Sequence, residues 1–203
     1  MTQNKTVLKW LDEVKELVKP ESVVWIDGSE KQIEELRAEA CKTGEMHKLN
    51  QDKLPDCYLH RTNPNDVARV EDRTFICTRE KDTAGPTNNW CDPNEMYAKL
   101  YDIARDSYKG RTMYIIPYSM GPIGSPLAKI GIEVTDSIYV VLNMVIMTRV
   151  SPKVLDVLGD SNDWVRGLHS RCDINPEKRY ICHFPEDNTI ISVNSGYGGN
   201  VLL

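Results

Sequence analysis

The chain has 203 residues, of which 40% are hydrophobic and 27% are charged, and its formal net charge at pH 7 is −5. This size and composition are typical of a globular protein with one sizeable core or two small ones. The acidic balance argues against a general nucleic-acid binder and against a protein of anionic membrane surfaces. The richest apolar run, residues 138–147, is about half as long as a bilayer span requires.

The chain has six cysteines, which are widely spaced and form no Cys-x-x-Cys pair. A domain of this size does not need disulfides, so we interpret them as reduced thiols of a cytoplasmic protein. The first residues lack the apolar segment of a secretory signal. A zinc site is not expected, because His169 and Cys172 supply only half of one.

The first 44 residues alternate between helix and strand. Residues 6–19 have apolar side chains at helical spacing, and residues 23–26 predict a buried strand. A second helix is predicted to begin at Ser29, which forms a capping box with Gln32, and to end near Gly44. This alternation indicates a layered α/β domain.

The middle of the chain continues the same mixture. Asp92 and Pro93 are typical of a helix start, while two prolines and two glycines stiffen a loop at 118–126. The predictions in chain order are a short strand at 57–60, a strand at 74–78, a loop at 79–90, a helix from Asp92, a strand at 111–117, the stiff loop, and a strand at 130–134.

The last third is predicted to combine short helices with a hairpin. Residues 138–147 have apolar side chains at helical spacing, although their β-branched content leaves a strand open. Short helices are predicted at 152–158 and 164–168, and a hairpin at 180–193. No internal repeat or low-complexity linker occurs, so residues 1–203 are expected to form a single domain.

Residues 195–200 place three glycines in four positions around Tyr197. Such a turn can bring backbone N–H groups and an aromatic ring edge close to an anion. A tight connection between strands at 190–193 and 201–203 is an equally good interpretation. The chain stops on three apolar residues directly afterwards, which leads us to expect a truncated polypeptide.

Four segments, at 67–71, 111–126, 146–149 and 196–200, occur in the order in which GTP-dependent phosphoenolpyruvate carboxykinases carry them. The chain resembles that family from residue 27 to its end, and the block at 111–126 is the most specific part of the match. The resemblance implies an α/β domain with a mixed β-sheet flanked by helices. It also identifies the chain as similar to the N-terminal, substrate-binding domain alone.

The resemblance implies substrate-binding roles for Arg69, Tyr197, Gly198 and Gly199, and supporting roles for Asn200 and Glu71. The arginine fork can hold a carboxylate through two parallel hydrogen bonds. An arginine beside a glutamate is otherwise most often a solvated surface pair. A carboxylate at position 71 could hold the arginine, engage a lid, or simply face solvent.

The implied reaction converts oxaloacetate and GTP to phosphoenolpyruvate, GDP and carbon dioxide. The implied cofactors, Mn²⁺ or Mg²⁺ and GTP, would be bound by a C-terminal domain that is absent from this chain, so no catalytic or metal-binding residue is expected here. The 203 residues alone are expected to be inactive, and the parent enzyme monomeric. A stand-alone module for small dicarboxylates and a purely structural α/β domain remain as alternatives.

Overall fold

The structure is a computed structural model that describes residues 2–64, 66, 70–198 and 200–202. This part of the chain contains five α-helices and twelve β-strands. The helices are α1 (Lys5–Val18), α2 (Glu30–Thr43), α3 (Pro93–Ala104), α4 (Ile138–Met147) and α5 (Lys153–Leu158). The strands are β1 (Ser22–Trp25), β2 (Met46–Lys48), β3 (Tyr58–Arg61), β4 (Thr74–Ile76), β5 (Asn89–Trp90), β6 (Thr112–Met120), β7 (Lys129–Thr135), β8 (Arg149–Val150), β9 (Val165–Ser170), β10 (Tyr180–Phe184), β11 (Thr189–Val193) and β12 (Asn200–Leu202).

The first three long helices begin at polar side chains that satisfy their free N–H groups. Asn4 accepts from two backbone N–H groups of α1, at 2.9 and 3.1 Å. Ser29 accepts from the N–H of Gln32 at the start of α2, as the capping box predicts. Asp92 accepts from the N–H groups of Asn94 and Glu95 at the start of α3. The predicted starts of α2 and α3 are therefore confirmed.

The large sheet has the strand order β1-β6-β7-β9-β11-β10-β4-β5, and β8 pairs with β6 outside that path. The sheet is mixed: β7, β9 and β11 run parallel, whereas β6 opposes β7 and β10 opposes β11. Helices cover both faces of this sheet. The prediction of a mixed sheet flanked by helices is therefore confirmed.

Each face of the sheet carries its own apolar core. Helices α1 and α3 bury one core, in which Leu11, Leu100 and Ile132 are almost completely inaccessible. Helices α2 and α4 bury the other, around Ile116 and Leu142. Residues 138–147, for which the sequence permits a helix or a strand, form helix α4, which packs on the sheet near β6. No helix of the described chain is long and apolar enough to cross a membrane.

The helix predicted at 164–168 is wrong, because these residues enter the central strand β9. The strand pairs in parallel with β7 on one side and β11 on the other. A strand between two neighbours is buried on both faces, so it lacks the alternation that would separate it from a short helix. The stiff loop also begins later than predicted, since β6 continues to Met120.

A second, small sheet has the order β12-β3-β2. Strand β12 therefore pairs with β3, whereas β11 belongs to the large sheet. The turn does connect two strands, as one interpretation of the sequence predicts, but these strands do not pair with each other. The glycine-rich turn instead leads the chain from one sheet to the other, and the predicted hairpin of β10 and β11 is confirmed.

Candidate functional site

The glycine-rich turn, residues 195–198, is fastened to the segment that follows β3. The backbone N–H of Gly196 donates to both carboxylate oxygens of Asp66, at 2.9 and 3.1 Å. The Ser195 hydroxyl donates to the same carboxylate at 3.4 Å. Asp66 thus joins two chain segments that are about 130 residues apart in the sequence.

The Asp66 carboxylate is also paired with a buried guanidinium. Arg179 Nη2 lies 3.3 Å from Asp66 Oδ1, and the two side chains are 3% and 0% exposed. Arg179 Nε donates to the backbone oxygen of Asn194 at 3.0 Å, just before the turn. Because a buried charge is tolerated only when it is paired and hydrogen-bonded, this cluster holds the turn in one position.

Close packing fixes the second half of the turn. A β-carbon at Gly198 would overlap Thr62 Oγ1 and lie 2.7 Å from Thr62 Cγ2, so only glycine fits there. Tyr197 has a φ of +54°, the left-handed region that a residue with a side chain adopts at a cost. Its N–H donates to Ser195 Oγ at 3.2 Å. The turn is therefore tightly determined by its surroundings.

The left-handed backbone directs the Tyr197 ring onto the large sheet. Its hydroxyl donates to Ser192 Oγ on β11 at 2.5 Å. The ring lies beside His169 of β9, with 5.1 Å between the ring centroids. Burial raises the pKa of the Tyr197 phenol to about 12, so the phenol is neutral at physiological pH. The ring is half-buried and forms one wall of a cavity.

His169 supports this arrangement as a neutral imidazole. Its Nε2 lies 2.6 Å from the carbonyl oxygen of Ser195, which can only accept, so Nε2 carries the proton. Its Nδ1 then accepts from the Thr135 hydroxyl at 2.7 Å. Burial lowers the pKa of His169, which favours the same uncharged form. The histidine orders the turn and has no further ring nitrogen for a ligand.

The predicted site residues are only partly described by the structure. Arg69 and Gly199 lie outside the described residues. Asn200 begins β12, with its backbone opposite Arg61. Glu71 is exposed in a short 3₁₀ turn, Glu71–Arg73, and its carboxylate forms no ion pair with the residues that the structure describes. Tyr197 and Gly198 are adjacent in the turn.

The residues that hold the turn were not identified from the sequence. Asp66 lies in a polar, irregular stretch, Arg179 follows a short 3₁₀ turn, and no sequence pattern around His169 indicates a role at the turn. Each acts through a partner that is far away along the chain. No local sequence pattern marks such residues. Once burial is known, the buried charge pair of Asp66 and Arg179 identifies itself, because charged side chains are rarely buried without a role.

The Tyr197 ring closes one side of a cavity of about 380 Å³ between α4 and the large sheet. Among the described lining residues only Glu133 carries a carboxyl group, and it lies on the face of β7 opposite the core residues Ile132 and Val134. That carboxyl lies over Gly167, where a β-carbon would overlap it. Burial raises the pKa of Glu133 to about 8, because no described positive charge compensates its desolvation.

The described residues contain no group of three or more histidine, cysteine, aspartate or glutamate side chains close enough to hold a metal ion. The Asp66 carboxyl, which contacts the turn, and the Glu133 carboxyl, which lines the cavity, do not form such a group either. Asp66 is already bonded to Gly196 and Arg179, while Glu133 stands alone in an apolar cavity. A divalent ion needs several oxygen ligands converging on one point, so these residues do not fit one.

Comparison with known proteins agrees with this architecture. A family model described as "Phosphoenolpyruvate carboxykinase N-terminal domain" matches residues 9–203. A protein of Anaeromyxobacter dehalogenans strain 2CP-C, named phosphoenolpyruvate carboxykinase [GTP], is 57% identical over 202 residues, which is all of this chain and 34% of that protein. Proteins of the same name from Corynebacterium jeikeium and Neocallimastix frontalis are 47% and 48% identical, over 100% and 98% of this chain and 35% of each protein.

The chain spans about a third of the length of the curated relatives it matches. The match nevertheless extends over almost every residue that builds the two sheets and the turn between them. The chain belongs to the phosphoenolpyruvate carboxykinase family, as its N-terminal domain.

Proposed function

We propose that this chain is the substrate-positioning part of a GTP-dependent phosphoenolpyruvate carboxykinase, which converts oxaloacetate and GTP to phosphoenolpyruvate, GDP and carbon dioxide. The observation that carries the proposal is the set of hydrogen bonds that the turn donates to the Asp66 carboxylate. That contact connects the segment before Arg69 with the segment around Tyr197, and the curated relatives carry the name of this enzyme.

Arg69 is the proposed anchor for a substrate carboxylate. It follows Asp66 by three residues, and three residues of fully extended chain span about 10 Å. Asp66 in turn bonds to Gly196, which precedes Tyr197 directly. The short length of chain between Asp66 and Arg69 therefore supports the proposal that the Arg69 guanidinium and the turn bind the same substrate. A planar fork would orient a dicarboxylate by two parallel hydrogen bonds.

The turn is the proposed second contact. The N–H groups of Gly196 and Tyr197 are already bonded to Asp66 and Ser195. The N–H of Gly198 has no acceptor among the described residues, which supports a role for it toward substrate. The Tyr197 ring is held by Ser192, so its edge has a fixed direction. Gly199 and Asn200 complete the proposed site, and Glu71 remains a proposed support for Arg69.

Decarboxylation and phosphoryl transfer are assigned to other parts of the parent enzyme. The described residues do not fit a divalent metal, so we derive no step through one here. We propose that GTP and Mn²⁺ or Mg²⁺ bind to the C-terminal domain, that the parent enzyme is monomeric, and that these 203 residues alone are inactive. A cytoplasmic location is also proposed, supported by six cysteines that all carry free thiols.

Oxalate tests the binding part of this proposal, since it is a small dicarboxylate that does not decarboxylate. Calorimetric titration of the 203-residue chain is expected to give a dissociation constant of about 1 mM or below. Arg69→Ala should weaken binding at least about tenfold, the loss of about 1.4 kcal/mol. Arg79→Ala is the matched control, because that exposed arginine pairs at the surface with Glu186 and with no other described acidic residue.

Three outcomes separate the possibilities. Absence of oxalate binding to the folded chain would leave only a structural domain. Binding that depends on Arg69, followed by GTP-dependent turnover when the chain is joined to the remaining two thirds of a relative, would support the enzyme. Binding without turnover in such a folded chimera would favour a stand-alone dicarboxylate module.

A further inference from the structure

We propose that the cavity behind Tyr197 binds a small organic cation, an amine or amidine on a flat apolar body, whose charge pairs with Glu133. This inference goes beyond the proposed function, because it shares only Tyr197 with the proposed substrate site and takes a ligand of opposite charge. The cavity is lined principally by Glu133, Tyr139, Asn143, Met144, Ser192 and Tyr197.

The position of the Glu133 side chain is determined by the packing of the sheet. It lies on β7 opposite Gly167 of β9, and the absence of a side chain at Gly167 makes room for its carboxyl group. Its neighbours Ile132 and Val134 face the other core and are completely buried. Within the described chain the carboxyl forms no hydrogen bond and no ion pair, and the partly buried side chain lines the cavity.

The charges around the cavity favour a cation. The described titratable groups around Glu133 are neutral: Tyr118 from β6, His169 from β9, Tyr139 from α4 and Tyr197 from the turn. Burial raises the pKa of each tyrosine and lowers that of His169, which keeps all four uncharged. No lysine or arginine is among the described lining residues. A ligand ammonium or amidinium would supply the missing partner of the acid.

The remaining walls favour an apolar body. Val140 and Met144 project from α4, and Ile190 projects from β11 on the opposite side. The rings of Tyr139 and Tyr197 offer aromatic faces, which attract cations. The flexible thioether side chain of Met144 can adapt to ligands of different shapes. The volume of about 380 Å³ lies in the range of small-molecule sites. A single substituted ring fits this space.

Benzamidine, benzamide and benzoate provide a matched set of probes with charges of plus one, zero and minus one. Titration of the 203-residue chain, followed by calorimetry and two-dimensional NMR, is expected to show benzamidine binding at least about tenfold more tightly than benzamide. Benzoate is expected not to bind at this site. Glu133→Gln keeps the shape of the side chain and should reduce the preference for benzamidine to less than about twofold.

Proton release provides a second measurement that does not depend on a variant. Binding of a cation requires the carboxylate form, so protons should be released at pH 7. The affinity should rise several-fold per pH unit from pH 6 to pH 8 and then level off.

Val140→Phe leaves Glu133 in place but fills the cavity, and it should abolish binding. Val157→Phe, on the exposed side of α5, is the matched control.

Equal binding of benzamidine and benzamide would overturn the proposal. Survival of the benzamidine preference in a folded Glu133→Gln variant, or unchanged binding in Val140→Phe, would overturn it as well. Oxalate binding through Arg69 does not involve Glu133. A chain that binds oxalate but not benzamidine therefore contradicts only this inference, and the reverse result contradicts only the proposed function.

Discussion

Two acidic residues near the turn, Asp66 and Glu133, have opposite electrostatic situations. Asp66 bonds to the N–H of Gly196, to the Ser195 hydroxyl and to the guanidinium of Arg179. Glu133 has no such partner among the described residues and faces a cavity. Tyr197 lies between them, since its backbone belongs to the Asp66 cluster and its ring to the Glu133 cavity.

The comparison separates a structural charge from one that is available to a ligand. A buried carboxylate with a full set of partners fixes two chain segments relative to each other, and its removal leaves other groups unpaired. A buried carboxyl without partners instead remains protonated and destabilises the fold wherever it is forced to ionise. One carboxyl group therefore fixes the position of the turn, whereas the other has no partner among the described residues and faces the cavity.

The largest expected effect comes from Arg179→Met, which removes the partner of Asp66 and leaves a buried charge uncompensated. The free energy of unfolding should fall by about 3 to 5 kcal/mol. Urea denaturation at pH 7 measures the change. Arg79→Met is the matched control, since its exposed pair with Glu186 should contribute less than about 1 kcal/mol.

If Arg179→Met costs no more than that surface control, the Asp66 cluster does not fasten the turn. Backbone amide exchange supplies an independent check. In the variant, the Gly196 N–H should exchange faster than amides of the central strands, because its acceptor is no longer held in place.

The second effect concerns the pH dependence contributed by Glu133. Its pKa in the folded state is about 8, above the ordinary value of 4.5, so the folded state retains a proton that the unfolded state loses. The unfolded state binds fewer protons between these two pH values, and stability therefore falls as pH rises from about 4.5 to about 8. Wild type should lose about 3 kcal/mol more than Glu133→Gln between pH 5 and pH 8.

Unfolding free energies of both proteins at pH 5 and pH 8 test this expectation, because all other titrating groups cancel in the difference. Parallel stability curves would mean that Glu133 is solvated or paired. The comparison with Asp66 would then fail.

The third effect concerns the packing of the turn against the segment after β3. Gly198→Ala introduces a β-carbon that overlaps Thr62, and it should lower stability by about 1 to 3 kcal/mol. Thr62→Ala removes the two atoms that would lie nearest, so the double variant should recover part of the loss. Additive effects in a double-mutant cycle would show that the two residues are not in contact.

The smallest effect is expected from Tyr197→Phe, which removes the hydroxyl bonded to Ser192 but keeps the ring. Loss of one neutral hydrogen bond should cost about 1 kcal/mol. Benzamidine binding should change less than about threefold, because the ring wall remains. A much larger loss of binding would mean that the hydroxyl contacts the ligand directly. Thermal denaturation and the same titration provide both measurements.

Much of the secondary structure could be predicted because the signals are local. Ser29 and Asp92 bond to N–H groups a few residues away, and the helices after them follow. Strand β9 could not be recognised, because burial on both faces removes the alternation that marks a strand, and Gly167 gives no signal of its own. The pairing of β12 with β3 involves residues about 140 positions apart, and no short pattern specifies such a partner.

The candidate site divides in the same way. The glycines around Tyr197 identified a tight turn, and the family resemblance added Arg69. Asp66, Arg179 and Glu133 remained hidden, since their roles depend on burial and on partners from distant strands.

The sequence by itself determined the helix starts, the α/β class and the family to which the chain belongs. Helix caps and hydrophobic periodicity are local patterns, and the family is identified by four segments that occur in the same order along the chain. Only the tertiary structure decided which charges are paired. Pairing depends on distance and on exclusion of water, and both arise when remote strands meet in the folded chain.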